Sequence, residues 1–419
     1  MRPPRIFFGI LPKNRKIYAK TVYTSAVCKY NVLVNNGKAL ILLEIYLDNS
    51  ATTKVCPEAV NAMMSVLTEN YGNPSAVHAR GIAARQALDT ARRQLAGVIS
   101  AQPEEIYFSH SGTLANNTAI FGAVRARRRL GNRIVTTALE HPSVARCMDA
   151  LEEQGFEVIR LAPGENGAFR PEDLLNAVNK NTILVSAMLV NNETGAVNPV
   201  ELIQKAVKRA NAPALVHVDA IQGFGKLPVK PGAMGIDLMT MSGHKVHAPK
   251  GVGALYIKKG VQIKPYVVGG GQENNLFSGT EALPAIVGFG AAAAALPDIG
   301  TQLKAMNALR LKTYEMLSRI GQVSINSPRD SLPYIINMSV RGIPSQVLIN
   351  YLSERGIYVS AGSACKRGHR SEVLNKMGIA PELIDSAIRV SMSRFTTAEE
   401  MAVFCRTVEE ATKNIRTKL

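Results

Sequence analysis

Three short stretches hold residues whose types and spacing can do chemistry. The first is Ser242-Gly243-His244-Lys245, set between the apolar run Gly235–Met241 and the run Pro249–Ile257. Such runs read as a buried strand and its neighbour. A lysine at a buried strand end is expensive unless it loses its charge or pairs. An imine with an aldehyde removes the charge, and Ser242 and His244 offer donors to an anion beside it. Taken alone, the tetrapeptide reads better as a surface turn. The other two stretches change that balance.

The second, Leu215–Gln222, is a short apolar strand ending in Asp219. Open α/β sheets bind ligands outside the carboxyl ends of their strands. A carboxylate there can pair with a pyridinium nitrogen, which lets the ring accept electrons from a carbanion. Gln222 follows about one turn later and can donate to a ring oxygen. A helix N-cap is the plainer reading of a single aspartate. In the third stretch, the β-prone Ile106-Tyr107-Phe108 leads through Ser109-His110-Ser111-Gly112-Thr113 into a helical stretch ending near Val124. Free N–H groups at a helix start, with hydroxyls beside them, make a phosphate cradle. Capped helices are common, but a cradle, a strand-end Asp and a strand-end Lys in this order weigh more than any one of them.

At this point the chain resembles the cysteine desulfurases, fold-type-I enzymes of the class V aminotransferase superfamily that use pyridoxal 5′-phosphate (PLP). The resemblance runs from about Ile45 to the C-terminus. It rests on Tyr46–Thr53, Tyr71–Ser75, Glu140-His141, Asn191–Gly195, His217–Asp219 with Gln222, Ser242–Gly251, Gly269–Glu273, Ser278–Thr280 and Gly362-Ser363-Ala364-Cys365. The Gly-Ser-Ala-Cys form is similar to the subgroup of housekeeping and nitrogen-fixation desulfurases.

The resemblance implies a role for each residue. Lys245 holds the cofactor and later moves a proton. Asp219 pairs with the pyridine nitrogen, Gln222 bonds the phenolic oxygen, and His141 stacks on the ring. Gly112, Thr113, Ser242 and His244 bind the phosphate, and Thr280 reaches the phosphate of the partner subunit of a homodimer. Asn192 and Arg389 hold the carboxylate of L-cysteine, a job suited to a planar guanidinium. Cys365 takes the substrate sulfur as a persulfide, leaving L-alanine, and passes it to a sulfur-acceptor protein in iron–sulfur cluster assembly, thio-cofactor synthesis or tRNA thiolation. A reactive thiol wants exposure and nearby positive charge, which Lys366, Arg367, His369 and Arg370 supply. Cys147 and Cys405 fall in helix-like stretches and read as buried structural cysteines. The reading includes no metal.

The chain departs from the family pattern in places. Phe277 and Leu114 stand where an arginine and a glutamate are usual, His110 and Ser111 replace smaller residues, and Ala282 replaces a frequent asparagine. The stretch from Cys365 to Gly378 is shorter than in scaffold-serving members. Other classes that share the scaffold are a selenocysteine lyase, another class V aminotransferase and a non-catalytic sulfur-relay partner. Cys365 in its glycine-containing loop favours desulfuration, since transamination needs no cysteine.

Composition agrees with an α/β enzyme. The 419 residues are 46% hydrophobic, enough for a large core. Five cysteines without close pairing argue against a disulfide framework and suit a reducing cytoplasm. No apolar run approaches a membrane span; Ala285–Leu296 comes nearest, and its small residues suit a tightly packed helix. The net charge of +17 invites a nucleic-acid reading. However, residues 1–44 carry eight Lys and Arg against Glu44 alone. Arg125–Arg129 suits the end of a helix, so direct nucleic-acid binding is not expected. Residues 1–44 lack family resemblance and clear targeting features, and the functional chain is expected to begin near Glu44. The expected architecture is a large, mostly parallel sheet domain over 58–298 holding the PLP. A smaller α/β domain is expected from 45–57 with 299–419. A strand is expected after the turn before Tyr334, and a helix over Ser345–Ser353.

Overall fold

The computed structural model describes residues 44–361 and 370–415 in full, and the backbone of 19–24, 28–35 and 38–43. Those three backbone segments are the strands Ala19–Thr24, Cys28–Asn35 and Lys38–Leu43, paired antiparallel in sequence order.

A seven-stranded sheet organises the rest. From one edge its order is Ile106–Ser109, Gly253–Ile257, Leu238–Ser242, Leu215–Asp219, Thr182–Met188, Arg133–Thr137 and Glu157–Leu161. Gly253–Ile257 runs antiparallel to both its neighbours, and the remaining pairings are parallel. Every residue of the four strands Thr182–Met188, Leu215–Asp219, Leu238–Ser242 and Gly253–Ile257 is buried. This is why they read as near-continuous apolar runs: helices cover both faces of a parallel sheet. The consequence for function is directional. The carboxyl ends at Ser109, Thr137, Met188, Asp219 and Ser242 share one edge.

Helices pack where small residues allow it. Leu283–Ala294 lies against Ala79–Ile99, and a Cβ on Gly290 would sit 2.5 Å from Ala91 Cα. Most of the run Ala285–Leu296 therefore lies in this close-packed helix, as its composition suggests. Among the described residues, no single helix is long and apolar enough to cross a membrane.

Beyond residue 320 a smaller antiparallel sheet forms from Val323–Ile325, Ile335–Val340 and Ala387–Ser391. Ser345–Ser353 is a helix, and Ile357–Tyr358 pairs parallel with Ile45–Tyr46. Residues 47–56 tie the two sheets together. Asn49 N–H donates to Ser391 O (3.2 Å), Thr53 N–H to His244 O (2.9 Å) and Cys56 N–H to His247 O (2.9 Å).

One ion pair anchors the loop between the sheet edge and helix Leu283–Ala294. The Arg92 guanidinium grips Glu273 at 2.6 and 2.8 Å, and Glu273 also accepts from Phe108 N–H at 2.8 Å. Glu273, Asn274 and Asn275 all hold φ between 48° and 67°, so the loop is strained there and needs the anchor. Arg92→Met should lower unfolding free energy by about 3–5 kcal/mol, because it leaves a buried carboxylate unpaired. The double variant Arg92→Met with Glu273→Met should lose less than the single. Urea unfolding of the two proteins checks both statements.

Candidate active site

The helix Gly112–Arg127 begins against the sheet edge. Ser111 caps it by accepting from Leu114 N–H at 3.1 Å, and Arg125 and Arg127 occupy its last turn. Gly112 is required by packing: a Cβ there would sit 2.5 Å from Ile221 Cδ1 and 3.2 Å from Ser242 Cβ. The helix N-terminus is thereby drawn onto the strand ends that carry Asp219 and Ser242. Thr113, one residue on, is exposed. A phosphate would meet N–H groups and hydroxyls here. The helix runs three residues beyond the expected end near Val124.

Asp219 ends its strand with its carboxylate buried. Oδ1 accepts from Ile221 N–H at 3.0 Å, and Oδ2 accepts from Asn116 Nδ2 at 2.8 Å. Burial pushes this carboxyl above the usual carboxylate range, while the two hydrogen bonds, His141 and Lys245 pull it back. Asn116 also donates to Ser143 Oγ at 2.9 Å, and Ser143 meets His141 Nδ1 at 2.8 Å. Asn116, four residues into the helix from Gly112, thus couples Asp219 to His141. Its own Oδ1 is buried with no hydrogen-bond partner among the described residues.

His141 caps the helix Pro142–Glu153, its Nδ1 accepting from Ser143 N–H at 3.1 Å. Half-buried, it is both a cap and a site residue. With Nδ1 accepting, the neutral ring carries its proton on Nε2. Burial lowers its pKa, and the nearby Lys245 adds to that while Asp219 opposes it. The preceding Glu140 pins this turn to the sheet, Oε1 accepting from Thr137 Oγ1 (2.6 Å) and Met188 N–H (2.8 Å). Burial pushes its carboxyl up to about 8, so it stands neutral at physiological pH.

Lys245 closes a short turn after the strand Leu238–Ser242. Its Nζ donates to Ser50 O at 2.5 Å and to Ala51 O at 2.9 Å. Gln222 Nε2 donates to the same Ser50 O at 3.0 Å. His244 Nδ1 lies 3.3 Å from Thr52 Oγ1, and burial brings its pKa down to about 4. On the other side of residues 48–51, Arg389 is only 3% exposed. It donates to Asp48 Oδ1 and Ser360 Oγ, both at 2.9 Å, and to Asn192 O at 3.0 Å. Its Nε is buried with no hydrogen-bond partner among the described residues.

The structure therefore gathers Gly112, His141, Asn192, Asp219, Gln222, Ser242, His244, Lys245 and Arg389 at the carboxyl edge of the sheet. Thr280 is exposed. Cys365, with Lys366, Arg367 and His369, lies outside the described residues. Arg370 is described and is committed elsewhere, gripping Asp385 with two bonds of 2.7 Å. Phe277 and Leu114 share one apolar cluster, so the two departures from the family pattern are accommodated by packing. The described free cysteines are buried, and burial raises the thiol pKa of Cys147 and Cys405 to about 12, which suits structural roles. Asp48, Asn116 and Ser360 are site residues that pattern reasoning did not single out. The only signal for Asp48 was its place in Tyr46–Thr53.

Fold and site define the class. The aminotransferase class-V model matches residues 45–404, and the chain belongs to that family, which is PLP-dependent. The residues present fit the cofactor: a glycine-opened helix start, a buried carboxylate at a strand end and a lysine beside it. The particular relatives are named for sulfur chemistry. A "Cysteine desulfurase" of Trichormus azollae is 40% identical over 377 residues, 89% of this chain and 94% of the relative. A solved "NifS-like protein" superposes with a TM-score of 0.84 at 36% identity, covering 89% of this chain and all of that one. "SspA in complex with cysteine" follows at 0.75 and 30%, over 84% of this chain and 100% of that one.

Glu140→Gln keeps an acceptor for Thr137 and Met188 while removing the titration. A carboxyl whose folded pKa is raised contributes stability below its unfolded value near 4.5 that is lost as pH rises toward 8. Between pH 5 and 8 the variant should gain on the wild type by on the order of 1 kcal/mol per pH unit. Urea midpoints at the two pH values measure this.

Proposed function

We propose that this protein is a PLP-dependent cysteine desulfurase that converts L-cysteine to L-alanine and keeps the sulfur as a persulfide on Cys365. The observation that carries the reading is that Lys245 and Arg389 both bond to residues 48–51, one a strand-end amine, the other a buried guanidinium whose Nε has no hydrogen-bond partner among the described residues. The names of the most similar relatives support the same chemistry.

Bound PLP supplies an electron sink for the pair released at the substrate Cα. The chain's residues do the rest. Gly112, Thr113, Ser242 and His244 would hold the phosphate, and Asp219, steadied by Asn116, would pair with the ring nitrogen. Arg389 and Asn192 take the substrate carboxylate. This places Cα near Lys245, whose amine accepts the α-proton and later returns it. His141, with its proton on Nε2, would cover one face of the ring. Cys365 thiolate attacks the substrate sulfur; the new S–S bond forms as Cβ–S breaks, and Cβ takes a proton to complete alanine.

The reading extends to a homodimer in which Thr280 serves the partner's phosphate, in keeping with its exposure. A large domain over 58–298 and a small one from 45–57 with 299–419 accord with the two groups of strands. A cytoplasmic location accords with free, buried cysteines. The acceptor is a sulfur-accepting protein of iron–sulfur assembly or thiolation.

The purified chain with PLP should be yellow, borohydride should fix the cofactor to Lys245, and L-cysteine should yield alanine and sulfide. Lys245→Ala should lose the fixable cofactor. Cys365→Ser should keep the cofactor spectrum and its response to cysteine but lose at least a hundredfold of sulfide release, roughly the scale of losing a catalytic group. Unchanged turnover by Cys365→Ser would overturn the persulfide step. Selenocysteine turnover surviving in that variant would favour a lyase instead.

A further inference from the structure

A second buried lysine lies behind the site. Lys226 is 8% exposed, and its Nζ donates to Gln222 Oε1 at 3.4 Å. It also stands 5.8 Å from the centre of the Tyr334 ring. The cavity it lines is shared by Asn49, Thr53, Lys245, His247, Gln302 and Arg394. The charges that act on it are positive, Lys245 and Arg389, and they add to burial in bringing its pKa down to about 7. Arg394, His244 and His247 feel or face the same volume. A lysine kept here against desolvation and like charge calls for a reason.

Gln222 offers one. A side-chain amide has a donor end and an acceptor end of nearly the same shape, and its direction is set by its partners. The protonated Lys226 carries donors only, and it meets Oε1. The donor end of Gln222 is therefore turned the other way, to Ser50 O, where Lys245 also donates.

We propose that Lys226 is a positioning residue of the cofactor site, holding the Gln222 oxygen so that the amide NH₂ faces Ser50 and the cleft. This rests on the PLP reading above, in which Gln222 donates to the phenolic oxygen. Without Lys226 only the Ser50 carbonyl, shared with Lys245, still fixes the amide, and its oxygen more readily turns toward that phenolic oxygen, where two acceptors repel. Lys226 acts only through Gln222 and touches no reacting atom.

The test is a double-mutant cycle on the dimer-competent full chain loaded with PLP. Lys226→Met should weaken PLP binding about tenfold, the scale of one lost charge-assisted hydrogen bond. It should also shift upward the pH midpoint at which the visible cofactor band changes. In a Gln222→Ala background, Lys226→Met should change neither quantity further. Equal effects in both backgrounds would show that Lys226 acts by its own charge, and no effect in either would show that it does not position the amide; both overturn the proposal. Failure of the wild type to bind PLP would instead overturn the cofactor reading.

The apo-protein gives an independent control. With a folded pKa near 7 and an unfolded value of 10.5, wild-type stability should rise as pH goes from 7 to 10, since only the unfolded lysine holds its proton there. Apo Lys226→Met should lack that rise and melt no lower than the wild type at pH 6. This confirms that the variant folds, so a change in the cofactor band is read as positioning.

Discussion

Three buried or half-buried cations, Lys226, Lys245 and Arg389, converge on one turn of the backbone, and the organisation of the site follows from how their charge is met. The turn Asp48–Ala51 meets it with oxygens: the carbonyls of Ser50 and Ala51 for Lys245 and the carboxylate of Asp48 for Arg389. Lys226 is met indirectly, through Gln222 and Ser50. Cations at a sheet edge repel, so the site holds together only because this turn is stitched to both Ser391 and His244. A ligand bearing a carboxylate and a phosphate enters a cleft already biased toward anions.

On the opposite wall the problem is reversed. Asp219 and Glu140 are carboxyls taken out of water, and the structure handles them differently. Glu140 keeps its proton and serves as a neutral clamp on the His141 turn. Asp219 is wired by Asn116 and the Ile221 N–H, and through Ser143 to His141. Two carboxyls at the same sheet edge thus differ, one a neutral clamp, the other held by donors and cations. Burial is the largest influence on both and each accepts two hydrogen bonds; the difference lies in neighbouring charge, His141 and Lys245 lowering Asp219 while Asp219 raises Glu140.

Much of this was legible in the chain. Apolar runs ending in Asp219 and Ser242 became fully buried adjacent strands, and Ile106–Arg127 became a strand, a loop and a helix opened by Gly112. Lys245 was legible because a lysine after a buried strand is costly. Small residues over Ala285–Leu296 correctly announced close helix packing. Asn116 was not legible, because an asparagine inside a helix looks like any other until its neighbours 27 and 103 residues away are known. Arg370 looked like part of a basic loop and proves to be neutralised by Asp385, a partner fifteen residues on whose approach depends on a short helix between them.

Local physics accounts for what the sequence by itself determined: which segments are strands, where the helices start, and which residue types stand at strand ends. These follow from apolar periodicity, capping and the cost of a buried charge, all of which act over a few residues. Only the tertiary structure decided how those ends pair. Lys245 and Arg389 lie 144 positions apart in the chain and meet because residues 47–56 bond to the strand of Arg389 and to the turn that carries Lys245. The orientation of Gln222, the neutrality of Glu140 and the wiring of Asp219 depend on burial and on donors brought from distant segments, and those quantities exist only after the chain has folded.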